Sequence, residues 1–329
     1  MKYFSRMNAL IVAGATMLAA GSASSQDMTK ISIAISSASL PAAGARVAEE
    51  MGLFEAHGLD ADITPMESAN IATMAMLSGS VQFSSGTPSD LIVASEQGQD
   101  VVELLAIYRG IAGTLVLDKA VAEKTGVLPS APFEERVRAL DGLKLAFPSA
   151  TATYTVAMRG AQSLGAEIEF SYMAQPAMIA ALQTGVIDGF MASAPNWVIP
   201  VAQGAAVAWI SGPGGDFPPE LSPVNTVTLH TSAEYARENP DVVASIRAVF
   251  ADLAEAFRER PDDVKAAFIR LYPDQPAEIL DQFFAAEAPA FAEVQPVTPD
   301  DMQREIDFLK MSGSLASDAV FDTQAMIAP

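Results

Sequence analysis

The sequence predicts an α/β protein of two lobes, each a mostly parallel sheet flanked by helices. Three observations carry that expectation. Apolar runs of strand length alternate with helix-period stretches, which is the rhythm of βαβ units. The rhythm occurs twice, once from Lys30 and again from Leu143. Within each run lies the same step, a helix, a Gly stop, a short strand and a small polar loop, centred on Gly79 and on Gly185.

Taken in order, Lys30–Ile35 (KISIAI) alternates as a strand does, and Pro41–Phe54 reads as one helix with Pro41 in its first turn and Gly52 near its end. Asp60–Pro65 is a second strand, Asn70–Leu77 a helix stopped by Gly79, and Val81–Ser84 a third strand. Val101–Tyr108 and Thr114–Leu117 are further strands. The second run gives strand Leu143–Phe147, helix Thr155–Leu164, strand Ile168–Met173, helix Pro176–Thr184 and strand Val186–Met191. Between the runs, Asp118–Asp141 is more charged and carries Pro129 and Pro132. Ser211–Pro223 is a Gly/Pro-rich connector, and from Ala233 onward apolar positions recur at helix spacing. Aligning Gly79 with Gly185 places Ala75 on Ala181, Ser78 on Thr184, Val81 on Ile187 and Gln82 on Asp188, which favours two related lobes.

The first 25 residues read as a signal peptide. Lys2 and Arg6 form a basic start, Ala9–Ala20 an uncharged apolar run, and Gly21–Ser25 a small-residue exit. That run is about a dozen residues, against the roughly 20 a membrane-spanning helix needs. Cleavage is expected near residues 23–26, leaving a periplasmic protein of about 300 residues, enough for two domains. The formal charge is −21, and losing Lys2 and Arg6 takes it to about −23. Such a field disfavours nucleic acid and anionic lipid surfaces. It leaves room for a small anionic ligand, because local backbone dipoles act at short range while distant charge is screened. With no Cys, disulfides, thiolate nucleophiles and Cys-bound metals are excluded. The two histidines, His57 and His230, sit in different contexts with no HExxH pairing. No GxSxG elbow or GxxxxGK[ST] loop occurs, and no GxGxxG follows the first strand.

Several segments resemble the substrate-binding proteins of nitrate/sulfonate/taurine-type ABC importers. Val47–Ile63 (VAEEMGLFEAHGLDADI) is similar to that family's first helix, Gly-Leu-Phe turn and second strand. Ala75–Phe83 (AMLSGSVQF) and Ala181–Gly189 (ALQTGVIDG) resemble its paired helix–Gly–strand steps, with Gln82 where an acidic residue is usual and Asp188 matching. Met311–Phe321 (MSGSLASDAVF) looks like its ending. The resemblance implies a two-lobe binding fold of type II: residues 28–114 begin lobe 1, 115–222 form lobe 2, and 223–329 return to lobe 1 with C-terminal helices. It further implies a monomer that closes on a small solute by hinge motion and docks on the membrane domains of a permease, with no cofactor and no catalysis. A related branch makes a thiamin pyrimidine precursor with a Cys-rich motif, which a chain without Cys lacks.

Ligands of open α/β sheets sit off the carboxyl ends of the strands, where helix N-termini offer free N–H groups. Strand-to-helix turns here are rich in small hydroxyl residues. They hold Ser37; Ser68; Ser85, Gly86 and Thr87; and Ser149, Thr151 and Thr153. Each hydroxyl has two readings, a contact to an anionic head group or a cap on its own helix. Asn196 and Trp197 follow the second-lobe strand, and the indole can wall a ligand or fill the hinge. Glu67 and Asp188 are amine-binding candidates, Asp188 also a cap or hinge contact, and Arg109 a partner for an acidic group or for another side chain. Met66, Met173 and Met191 are candidates to hold a carbon skeleton. The expected solute is a sulfonate-like organic anion. The alternatives are an aromatic carboxylate, a pyrimidine-type solute, or a sensor role for the same fold.

Overall fold

Among the described residues, ten strands sort into two five-stranded sheets of one design, in orders β2-β1-β3-β10-β4 and β7-β6-β8-β5-β9. The computed structural model describes residues 28–36, 39–66, 68–148, 153–222, 225–292, 296–311 and 313–329. The expected signal peptide and Ser37, Glu67, Ser149 and Thr151 lie outside them. The strands are β1 (Thr29–Ile35), β2 (Leu59–Pro65), β3 (Phe83–Gly86), β4 (Val101–Arg109), β5 (Thr114–Asp118), β6 (Lys144–Phe147), β7 (Glu169–Tyr172), β8 (Gly189–Ala192), β9 (Ala206–Ser211) and β10 (Asn225–Ser232). The helices of the first half are α1 (Gly44–Glu50), α2 (Leu53–Ala56), α3 (Ala69–Leu77), α4 (Pro88–Glu96), α5 (Lys119–Thr125), α6 (Phe133–Arg138) and α7 (Thr153–Ala161). Those of the second half are α8 (Gln175–Gln183), α9 (Val198–Ala202), α10 (Ala233–Glu238), α11 (Pro240–Glu259), α12 (Pro261–Leu271), α13 (Ala277–Ala292) and α14 (Pro299–Met311).

In each sheet one strand runs against the rest, β10 in the first and β5 in the second. Register fixes how the lobes face each other. β4 ends at Arg109, which pairs with Asn225 at the start of β10. The segment 110–113 then leads to Thr114, which pairs with Ala192 at the carboxyl end of β8 and with Ser211 at the end of β9. Both crossings between sheets therefore leave and enter at carboxyl edges, so those edges confront one another. The crossings also touch: Gly212 N donates to Gly113 O at 2.9 Å, and the Thr226 hydroxyl donates to Gly110 O.

Several elements differ from the sequence expectation, for local reasons. The expected helix Pro41–Phe54 is a 3-10 turn followed by α1 and α2, divided where Gly52 adopts φ 71°. An L-residue resists that left-handed conformation, which Gly accepts. β3 and β8 begin later than expected, at Phe83 and Gly189, because the apolar Val81 and Val186 belong to the preceding turns. The charged stretch after β5 forms α5 and α6.

The amphipathic spacing of the C-terminal region holds. α11 buries Val243, Ile246, Val249, Phe250, Leu253 and Phe257 on one face. Phe257 stacks on Phe291 of α13 with ring centroids 4.7 Å apart. One continuous apolar core runs from the first sheet through α11 and α13 to Trp197, Val198 and the Phe190 face of the second sheet. The other face of the second sheet is a separate core with Leu115, Leu145, Phe147, Met191 and Trp209. α14 straddles the lobes, with Met302 and Ile306 in the core beneath α4 and Phe308 in the core of the second lobe.

Candidate functional site

The turns at the carboxyl edge of the first sheet are held by their own hydrogen bonds. Ser68, before α3, accepts from Ile71 N at 3.3 Å and caps that helix. Thr87 forms a capping box on α4: its hydroxyl accepts from Asp90 N, and Asp90 Oδ2 accepts from Thr87 N at 2.8 Å and from its hydroxyl at 2.7 Å. Burial raises the pKa of Asp90, and the bonds from Thr87 act against that shift. Ser85 is fully buried, and its Oγ accepts from Ser36 N at 3.1 Å, tying the end of β1 to β3. Gly86 sits against the His230 ring and the Asp90 carboxylate, and a Cβ there would lie 3.1 Å from Asp90 Oδ2.

On the second lobe the sequence reading missed the organising residue, Gln175. Its Oε1 accepts from Ser193 N and Ser193 Oγ, each at 3.0 Å, and from Asn196 Nδ2 at 3.3 Å. Its Nε2 donates to Tyr154 Oη at 3.2 Å. One carboxamide thus gathers the end of β8, the start of α8 and the first turn of α7. Thr153 is the first residue of α7, next to Tyr154, whose hydroxyl is held above the ordinary tyrosine range by burial. The signal in sequence was positional: Gln175 precedes Pro176 at a strand-to-helix turn.

Three further candidates have partners within the protein. Trp197 is 5% exposed, and its Nε1 donates to Glu287 Oε1 at 3.0 Å, across the lobe boundary. Arg109 lies 3.6 Å from Asp301 of α14. Asp188 Oδ2 accepts from Lys144 N at 2.8 Å, at the start of β6. Met191 is fully buried in the core of the second lobe, which removes it from the residues able to hold a carbon skeleton. Met173 packs on the continuous core, and Met66 N donates to Ile35 O at 2.9 Å.

The structure brings together Ser85, Gly86 and Thr87 on one edge, and Thr153, Tyr154, Gln175, Ser193 and Asn196 on the edge facing it. The Thr87 and Ser193 hydroxyls donate to Asp90 and Gln175, so the donors these edges present to a bound group are mainly carboxamide and backbone N–H groups, a neutral set suited to an oxyanion. Of the histidines, His57 bonds Asp252 at 2.7 Å, and His230 is buried behind Gly86 and beside Thr228, 2.6 Å away. Among the described residues there is no cluster of three or more His, Cys, Asp or Glu that could hold a metal ion. No helix among them is long and apolar enough to cross a membrane.

This architecture is shared with solved structures. The periplasmic aliphatic sulphonate binding protein SsuA from Escherichia coli superposes with a TM-score of 0.70 at 17% identity, covering 91% of this chain and 97% of that one. The periplasmic nitrate-binding protein NrtA from Synechocystis PCC 6803 gives 0.64 at 14%, covering 91% and 85%. The alkanesulfonate-binding protein SsuA from Xanthomonas axonopodis pv. citri, bound to MOPS, gives 0.63 at 15%, covering 87% and 94%. At these identities the likeness is one of fold, and these relatives are named as binding proteins rather than enzymes. A comparison with curated protein sequences gives no match. The model of the family described as NMT1/THI5 like matches residues 41–264, more than half of the sequence. The chain belongs to the NMT1/THI5-like family.

Proposed function

We propose that this protein is the periplasmic solute-binding component of an ABC importer, and that it holds a small organic anion, sulfonate-like, between its two lobes. The observation that carries the reading is the confrontation of two carboxyl edges whose turns carry carboxamide and backbone N–H groups among small polar residues. Solute bridging both edges would favour the closed arrangement by its own binding energy, with hinge bending at the crossings 110–113 and 212–224. Residues 28–114 with the return from 223 would act as one lobe and 115–222 as the other. Ser68, Ser85, Gly86, Thr87, Thr153, Asn196 and Trp197 are the described residues assigned to solute, with Gln175 and Ser193 added on geometry. The first 25 residues would direct export, and the closed form would dock on the permease as a monomer.

The names of the solved relatives, two sulfonate binders and a nitrate binder, support an anionic solute. A thermal-shift screen tests the reading with taurine, short alkanesulfonates, nitrate, aromatic carboxylates and thiamin-type pyrimidines. A ligand at 100 times its Kd adds about 2.7 kcal/mol of stability, a shift of a few degrees. Stabilisation by alkanesulfonates is the expected result. Stabilisation by pyrimidines or aromatic carboxylates alone would replace the solute class.

A further inference from the structure

Glu287 is a carboxyl with no counter-charge in the middle of the apolar core that joins the lobes. It is fully buried on α13, and its two oxygens meet one residue from each side. Oε1 accepts from the Trp197 indole of the second lobe at 3.0 Å, and Oε2 lies 3.2 Å from Tyr108 Oη on β4 of the first. Trp197 immediately follows Asn196, and the loop from Ser193 to Asn196 is bonded at both ends to Gln175. That loop is therefore clamped twice, to its own lobe by Gln175 and to the opposite lobe by Glu287.

We propose that Glu287 is a positioning residue for solute binding, holding the Ser193–Asn196 loop in register with the first lobe through Trp197 and linking that register to pH. The inference rests on the solute-binding reading of the same loop.

The chemistry follows from the surroundings. Burial pushes the Glu287 carboxyl up to about 8, and only the bonds from Trp197 and Tyr108 act against that. Tyr108 is itself raised well above its ordinary range, by burial first and by Glu287 second. The cations on the elements packed against α13 are engaged elsewhere: Arg109 of β4 with Asp301, Arg247 of α11 with the Ala328 and Pro329 carbonyls, Arg258 of α11 with the Ala292 carbonyl, Lys265 of α12 with Asp281 of α13, and Arg270 of α12 with Glu50; Glu103 of β4 is a second buried carboxyl. α9 carries no charged residue. Below about 8 the neutral carboxyl predominates: Oε1 accepts from the indole and the protonated Oε2 donates to Tyr108 Oη, whereas the ionised carboxylate accepts from that hydroxyl. Ionisation strengthens the two hydrogen bonds to the carboxylate but leaves a lone negative charge among apolar side chains; burial is the larger of the two effects, so the ionised form favours an arrangement that brings water to the carboxylate and loosens the clamp.

The test has a solute-free arm and a solute arm. In the first, the emission of the protein is followed from pH 6 to 9.5, with Trp197→Phe supplying the Trp209 background. The expected result is a red shift of the Trp197 emission with a midpoint near 8. In Glu287→Gln the shift is absent, because the amide still accepts from the indole and donates to Tyr108 Oη but does not ionise. In the second arm, ethanesulfonate binding is titrated at pH 6.5 and 9. Wild-type affinity is expected to fall at least fivefold at the higher pH. Glu287→Gln is expected to stay within about twofold at both values, and Trp197→Phe to bind at least fivefold more weakly at pH 6.5. A wild-type emission flat across the range, or an unchanged transition in Glu287→Gln, overturns the proposal. An emission transition that vanishes in Glu287→Gln, with no organic anion bound by wild type, keeps the clamp and overturns the solute-binding reading.

Discussion

Gln82 and Asp188 perform one task in two lobes. Gln82 Oε1 accepts from Ser32 N of β1 at 2.7 Å, and Asp188 Oδ2 accepts from Lys144 N of β6 at 2.8 Å. Each residue stands just before its strand, and the registers match: Ile33 pairs with Phe83, and Leu145 with Gly189. The backbone carbonyls agree as well. Gln82 O accepts from the Thr231 hydroxyl of β10, and Asp188 O accepts from Asp118 N of β5, the reversed strand of each sheet. The side chain fastens β3 to β1 in one sheet and β8 to β6 in the other.

This equivalence sets the first prediction. Asp188→Asn keeps an acceptor for Lys144 N, as the amide of Gln82 already does for Ser32, so its cost is expected to stay below about 1 kcal/mol. Asp188→Ala leaves that N–H unpaired and is expected to cost about 1–3 kcal/mol. Urea denaturation of both variants checks the difference. Equal losses in the two would show that the hydrogen bond is not what Asp188 provides.

His230 gives a prediction in pH. Burial lowers its pKa from 6.5 to about 3. Its Nδ1 has no partner, so a proton there would be stranded. The folded state excludes a proton that the unfolded chain takes up, so the contribution of His230 is full above pH 6.5 and is lost as pH falls toward 3. Glu287 works in the opposite sense, its neutral form stabilising the fold as pH falls from about 8. The comparison with His230→Gln isolates the histidine. Below pH 6.5 the stability difference between wild type and variant is expected to change against the wild type by up to about 1.4 kcal/mol per pH unit. A difference constant from pH 4 to 8 would contradict it.

Gln175 reports the sign of the solute charge. Gln175→Glu retains an acceptor for Ser193 and Asn196, and Tyr154 can turn its hydroxyl to donate. The variant should therefore fold, with one negative charge added beside the site. At about 5 Å and an effective dielectric near 20, that repels an anion by about 3 kcal/mol, or roughly a hundredfold in affinity. Calorimetric titration with an alkanesulfonate measures it. Tighter binding in the variant would mark the solute as a cation.

Gly212 tests the hinge. A Cβ there would sit 2.3 Å from Ile111 O and 2.6 Å from Gly113 O, both backbone atoms of the other crossing. The two crossings can lie this close only while position 212 has no side chain. Gly212→Ala is expected to cost about 1–3 kcal/mol by forcing them apart, seen as a fall of a few degrees in Tm. An unchanged Tm would mean that the crossings are free to separate.

What the sequence disclosed and what it withheld follow from distance along the chain. Alternation in KISIAI and helix spacing in α11 are local, and both produced the elements they promised. The pairing of Gln82 with Asp188 was legible because an internal repeat puts both in one frame. The start of α4 was also within reach, since Thr87, Pro88 and Asp90 spell a capping box, although the run of small residues reads as a loop. The partners of Trp197, Arg109 and Asp188 were not legible. Trp197 meets Glu287 ninety residues later, and nothing local to either residue encodes that contact. For the hydroxyl turns, a sequence cannot separate a cap from a ligand contact. Ser68 and Thr87 do cap their helices.

The most direct test of the central claim is a calorimetric titration of the protein with ethanesulfonate, followed by mass spectrometry of the recovered solute. Saturation at one solute per chain and recovery of the solute unchanged are the expected results. Recovery of a converted product, or saturable binding of an organic amine with none of an organic anion, would contradict it.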